Sequence, residues 1–326
     1  DDVHGGKREV GEAHRASRIA QGLMPARSAS RMFLALYLVA LAAIFLMAPG
    51  ATVYWDAFGY ALQAINGDVG GLGLGRPVFV LTMHGIARAW LAAGGSPWHL
   101  EIVLRVACAM AASAAAPLTA RLALDCGGNR RVAWMAGLAV ALSPAMAHAG
   151  GQVLTDGPGV SLLILACVLG ARATLGRRGS IASAVASGAV LGLAVGAREQ
   201  TVVNVLTLLW FAWLAPRGLR WRVACAMAVG CLAAVALPLA FVFLTQPSYV
   251  DTVRSWLANM SRDRSAKTYG WSDLLVYLAW LLSLGPVVVI AGATTIALQI
   301  RRRKWRWPRL AAVAAPAMLQ VAWMAT

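Results

Sequence analysis

Apolar runs of near-membrane length recur along this chain, separated by short polar turns. The clearest are Met32–Pro49, Ile102–Leu124, Val132–Ala149, Val223–Phe243 and Leu274–Ile300. A helix needs about 20 apolar residues to cross the hydrocarbon core, so these runs predict transmembrane spans. Val160–Leu175, Ile181–Ala197 and Thr201–Ala215 are expected as shorter spans between them. Two segments break the pattern. Phe58, Ala61, Leu62 and Ile65 recur at i, i+3, i+4, i+7 and predict a helix with one apolar stripe. Pro77–Ala93 is apolar overall but carries His84 and Arg88 on one helical face. An arginine in the bilayer core costs about 3 kcal/mol on the insertion scale. Lying at the interface costs less, so Pro77–Ala93 is expected as a surface helix, linked to the first by Gly70–Gly75.

Composition supports this reading. The chain is 60% hydrophobic with only 13% charged residues, against about 25% in soluble domains, and its mean hydropathy is +0.66. The expected fold is an all-α polytopic membrane protein. A net charge of +16 raises the question of nucleic acid, but the basic residues do not form one patch. They gather in residues 1–31, at Arg121/Arg130/Arg131, at Arg172/Arg177/Arg178, at Arg217/Arg220/Arg222 and over Arg301–Arg309. Under the positive-inside rule these are cytoplasmic turns, and no nucleic-acid partner is needed to explain them. Eight of the thirteen acids then fall on the opposite side, five of them in outer loops at 51–98 and 245–273.

Three regions follow. Residues 1–31 are polar, lack aromatics and predict a disordered cytoplasmic tail. Residues 32–300 form the transmembrane module of about eight spans, and 301–326 a basic turn leading into a ninth. The chain begins without a methionine and breaks off in an apolar run, so a longer parent protein is expected. Cys108, Cys126, Cys167, Cys225 and Cys231 show neither a disulfide framework nor metal spacing and are expected as packing residues.

The same topology puts Asp56, after the first span, and Asp156, after the third, on one non-cytoplasmic face. An acid at that point, a long outer loop with surface helices, an Arg-Pro step and a second acid together resemble the GT-C superfamily. These are membrane glycosyltransferases that use polyprenyl-phosphate-linked sugars. The similarity is to bacterial relatives of protein O-mannosyltransferases and aminoarabinose transferases, the family-39-like branch. The stretches that carry it are Trp55–Tyr60, Gly75-Arg76-Pro77, Leu154–Pro158 and Gly196–Gln200. Two positions depart from the family pattern. Ala57 stands where a second acid often follows the first, which weakens a two-carboxylate metal site, and Val78 replaces a second proline.

The resemblance implies a GT-C-like helix bundle with two juxtamembrane helices in the first outer loop. It implies an inverting transferase moving a hexose or pentose from a polyprenyl-phosphate donor to a lipid, glycan or protein acceptor. The expected location is a bacterial inner membrane, with the active site on the periplasmic face. Asp56 is the expected base for the acceptor hydroxyl, because its carboxylate can take that proton as the glycosidic bond breaks. Asp156 would orient the acceptor or join Asp56 in holding a divalent metal. It also lies in Thr-Asp-Gly-Pro, a good helix start, so capping alone accounts for it equally simply. Arg198 is the expected phosphate ligand, with a local pair to Glu199 as the plain alternative. Arg76, Tyr60, Glu199, Arg262, Arg264 and Lys267 complete the candidate substrate-binding set. Glu101 and Arg105, four apart, are expected as an ion pair, and His84 and Arg88 as interfacial anchors. The rival reading, a transporter or flippase, expects charges at mid-membrane and often an inverted repeat. Neither is present in the sequence.

Overall fold

The computed structural model describes residues 26–48, 55–70, 76–175 and 180–266. Within them the chain is a bundle of helices: α1 (Ala26–Met47), α2 (Trp55–Asn66), α3 (Pro77–Ala92), α4 (Leu100–Ser113), α5 (Ala115–Asp125), α6 (Arg130–Ala141) and α7 (Pro144–Gly150). Then come α8 (Asp156–Leu175), α9 (Ile181–Ala197), α10 (Val205–Leu214), α11 (Arg220–Thr245) and α12 (Tyr249–Ala266). Short 3₁₀ turns precede α4, α10 and α11. No strand occurs among the described residues. Four stretches there are long and apolar enough to cross a membrane: Ala29–Met47, Pro97–Asp125, Asp156–Thr174 and Arg217–Thr245. A fifth arises if the pair α6 and α7, bent by 54°, is one span. The chain is an all-α polytopic membrane protein.

Proline explains where the expected spans break. The run expected as one span over 100–124 is one membrane-length stretch, Pro97–Asp125, with its hydrogen bonding interrupted at Ala114 between α4 and α5. Pro117 lacks the N–H that would reach Ser113, and its ring crowds that carbonyl. The run Val132–Ala149 divides at Ser143, whose extended backbone (ψ 121°) is what a following proline, here Pro144, imposes. Thr201–Ala215 is less of a span than expected. It opens as a 3₁₀ turn, Glu199–Asn204, and continues as only ten residues of α-helix, about 15 Å long. Parts of two segments expected to be irregular are helical: residues 26–31 belong to α1, and α12 occupies most of the 245–273 loop. The expected span Leu274–Ile300 and the region 301–326 lie outside the described residues.

Small residues set how the helices meet. Between α9 and α11 the backbones touch: a Cβ on Gly188 would stand 1.9 Å from the Met227 carbonyl oxygen. One on Gly230 would stand 2.2 Å from that of Val185. In a bilayer, where lipid is as apolar as any side chain, such close approach is the main source of helix adhesion. The other side of α11 is open: Val229, Leu232, Leu237 and Phe241 are exposed, as lipid-facing residues should be. By contrast α8 is central, packed by α4, α5, α9 and α10. Met32, Leu36 and Ala40 of α1 close the bundle on the far side against Ala116, Ala120 and Ala133.

At one end, α2 and α3 fold over α4. The stripe of α2 that packs is Ala57, Tyr60, Ala61 and Ala64. Apart from Ala61, the stripe expected from the sequence, Phe58, Leu62 and Ile65, is exposed. Both stripes of α2 are apolar, and the narrower one fits against α3. His84 is more than an interfacial anchor. Its Nδ1 lies 2.8 Å from the Ala64 carbonyl, an acceptor orphaned in the last turn of α2. Arg88 is exposed. The turn after α2 is fastened by Gln246, which follows α11. Its Nε2 donates to Gly67 O (2.8 Å), and its Oε1 accepts from Val69 N–H (2.9 Å).

Candidate functional site

The candidate residues lie around a break in the helical chain. Between α7 and α8, residues Gly151–Thr155 are non-helical yet buried. Irregular backbone inside a membrane protein persists only where the protein itself satisfies its polar groups. Here α4 and the segment itself do so. Arg105 Nε donates to Gly151 O at 3.0 Å, and Leu154 N–H donates to Gln152 O at 2.8 Å. Ser161 Oγ in turn donates to Ala112 O at 3.2 Å. Arg105 also keeps its expected i,i+4 pair with Glu101, at 3.9 Å. Its hold on Gly151 was not legible in the sequence, because that pair already accounted for both charges.

Asp156 opens α8 directly after this segment. Its carboxylate is bound by Arg198, whose Nη1 donates to Oδ1. Arg198 terminates α9 in extended conformation (φ −153°, ψ 108°), with its N–H bonded to Ala194 O at 2.8 Å. Its carbonyl accepts from Thr201 N (3.0 Å) and Thr201 Oγ1 (2.7 Å). The arginine stem runs over Gly159, where a Cβ would stand 3.5 Å from the Arg198 Cβ and 3.8 Å from its Cδ.

Arg76 joins the two halves of the site. It adopts a left-handed backbone (φ 48°, ψ 60°) immediately before Pro77, where a side chain is strained. Its Nη1 donates to Thr155 Oγ1 at 3.0 Å. Its Cζ sits 4.9 Å from the centre of the Tyr60 ring, a cation–π contact. Tyr60 is held edge-on by Phe79, with ring centres 5.7 Å apart. Two residues beyond Arg76, Val78 packs on Gly196, two residues before Arg198. Both arginines therefore converge on the Thr155–Asp156 corner from different helices.

Asp56 lies in the first turn of α2, one turn before Tyr60, and is exposed. Its neighbour Ala57 belongs to the same buried cluster as Leu154 and Ala197. Asp56, Tyr60, Arg76, Asp156 and Arg198 thus share one end of the bundle. Sequence reasoning passed over Thr155, the buried hydroxyl that anchors Arg76, although it lies inside a quoted motif. The side chains of Glu199, Arg262 and Arg264 lie outside the described residues, as does Lys267, although the backbones of Arg262 and Arg264 belong to α12. Among the described residues no group of three His, Cys, Asp or Glu is gathered for a metal. A cation on Asp156 would first have to displace a guanidinium.

The model of one family, described as dolichyl-phosphate-mannose-protein mannosyltransferase, matches residues 88–257. The matched stretch is more than half of the chain. It includes the unwound segment, Asp156 and Arg198, and starts after Asp56, Tyr60 and Arg76. No curated protein and no solved structure matches the chain. The chain belongs to this family of GT-C membrane glycosyltransferases.

Proposed function

We propose that this family member transfers a sugar, mannose foremost, from a polyprenyl-phosphate donor to a hydroxyl acceptor on the outer face of the membrane. The acceptor is a lipid, a glycan or a protein. The observation that carries this reading is the convergence of Arg76 and Arg198 on the corner that presents Asp156, with Asp56 at the same end of the bundle. Two arginines in a partly dry site suit a phosphate whose charge grows as it leaves. Among the described residues, Arg172 lies in the last turn of α8, the helix that Asp156 opens, which supports an outward-facing site under the positive-inside rule.

In this mechanism the acceptor oxygen attacks the anomeric carbon from the face opposite the phosphate. Its proton passes to the Asp56 carboxylate as the C–O bond to phosphate breaks. The leaving polyprenyl phosphate keeps the bonding electron pair, and Arg198 with Arg76 takes up its charge. The new glycosidic bond has inverted configuration. Asp156 receives the acceptor and holds it for attack. Asp56, exposed in the first turn of α2, is accessible to an incoming acceptor hydroxyl.

The test is transfer of mannose from polyprenyl-phosphate mannose by the full chain in lipid nanodiscs, with Asp56→Asn alongside. General-base removal costs about 10²–10⁴-fold in rate. A loss of that size, with unfolding unchanged, is expected. Full activity in a folded Asp56→Asn protein removes Asp56 as the base.

A further inference from the structure

The ion pair at the site raises a conflict that rests on the reading above. Arg198 is needed by the donor phosphate and Asp156 by the acceptor, yet each engages the other. We propose that the Arg198–Asp156 pair is a latch that the donor phosphate opens, so that donor binding frees the Asp156 carboxylate and the donor must bind before the acceptor.

The arginine is the part able to move. Asp156 is fixed from both sides: Thr155 is buried before it, and Gly157, Pro158 and Gly159 are buried after it. A Cβ on Gly157 would stand 2.8 Å from the Ala112 side chain, so the start of α8 has no room to shift. Arg198 has its backbone pinned by Ala194 and Thr201, but its stem crosses a glycine, Gly159, that offers no side chain to trap it. Rotation about its own torsions can carry the guanidinium off Asp156 without moving α9. An arginine takes carboxylate and phosphate alike through charge-assisted bonds, and a partly exposed pair is worth little in net terms, so donor binding can tip the exchange. The carboxylate left behind is not stranded, because Arg76 holds the adjacent Thr155 and keeps positive charge beside it. Asp156 is already a third exposed, 37% against 17% for the Arg198 side chain, so it opens toward an incoming acceptor once released.

The experiment measures binding of farnesyl phosphate, a lipid phosphate without sugar, to the full chain in nanodiscs. Asp156→Asn removes the competitor for Arg198 and should tighten binding roughly twofold to fivefold, the value of a partly exposed pair. Arg198→Gln should abolish binding, and the double variant should behave like Arg198→Gln. Inorganic phosphate should bind more weakly overall but show the same ratio between Asp156→Asn and the parent, because the latch acts on the phosphate and not the tail. Asp156→Ser, which keeps a helix-starting side chain, replaces Asp156→Asn if the latter does not fold. Unchanged or weakened binding in these Asp156 variants, with Arg198→Gln still deleterious, overturns the latch but leaves the glycosyltransferase reading intact. Absence of farnesyl phosphate binding in the parent and every variant overturns the donor-phosphate reading itself, and the latch with it.

Discussion

Adding one methyl group at Gly188 tests whether backbone contact between α9 and α11 holds the bundle together. The Cβ of Gly188→Ala would meet the Met227 carbonyl oxygen at 1.9 Å and its carbon at 2.7 Å. Real Cβ contacts essentially never fall below 3.0 Å, so the seam must open by about 1 Å. The obstacle is backbone, which cannot rotate away as a side chain could. Opening the seam also loosens Gly192 against Cys231 and Gly230 against Val185, forfeiting dispersion contacts along the interface. Overpacking of this kind costs about 1–3 kcal/mol, and the upper end applies because a whole helix must move. Alanine returns about 0.8–1 kcal/mol of helix propensity. The expected net loss is about 2 kcal/mol. Gly85 in α3 provides the contrast: it is helical and exposed, and its Cβ would meet nothing within 4 Å. Gly85→Ala should therefore stabilise by up to about 1 kcal/mol. Equilibrium unfolding of the detergent-solubilised chain in graded dodecyl sulfate, followed by tryptophan fluorescence, reads both. Equal stability of Gly188→Ala and the parent, or the same sign for both variants, would refute the close-contact argument.

Two further outcomes follow from hydrogen bonds that hold the site. Arg105→Met strips the buried Gly151 carbonyl of its charged donor. It should destabilise by about 1.5–3 kcal/mol in the same unfolding assay, with Arg105→Lys intermediate, and parental stability in both variants would contradict the role given to α4. Gln246→Ala removes both bonds to the turn after α2. Amide exchange at residues 67–70 should rise at least tenfold while α8 and α9 stay protected, since loss of two net bonds of about 1 kcal/mol each acts locally. Uniform acceleration across the chain would show that the clamp is global.

Much of the candidate site's placement was legible because its signals are local. Asp56, Arg76, Asp156 and Arg198 each sit at a helix boundary marked by proline, glycine or the end of an apolar run. The Glu101–Arg105 pair was legible for the same reason, being set by helix spacing alone. Arg198 was harder: a local pair with Glu199 competed in the sequence with a distant partner, and 42 residues separate it from Asp156. Thr155 and Gln246 gave no signal, since a hydroxyl or amide announces no partner until the chain has folded.

The sequence by itself determined the class of the protein. Long apolar runs and basic turns dictate membrane helices, because burying unpaired charge or backbone in lipid costs more than any loop can recover. Only the tertiary structure decided which residues meet. Both stripes of α2 were apolar, and packing against α3 selected the one with Ala57, Tyr60 and Ala64. Packing also left Gly151–Thr155 unwound, because Arg105 on α4 could satisfy the Gly151 carbonyl. Hydrophobicity is a property of each segment and can be read along the chain. Contact, strain and the pairing of distant charges are properties of the fold and arise only when helices far apart in sequence are brought within a few ångströms.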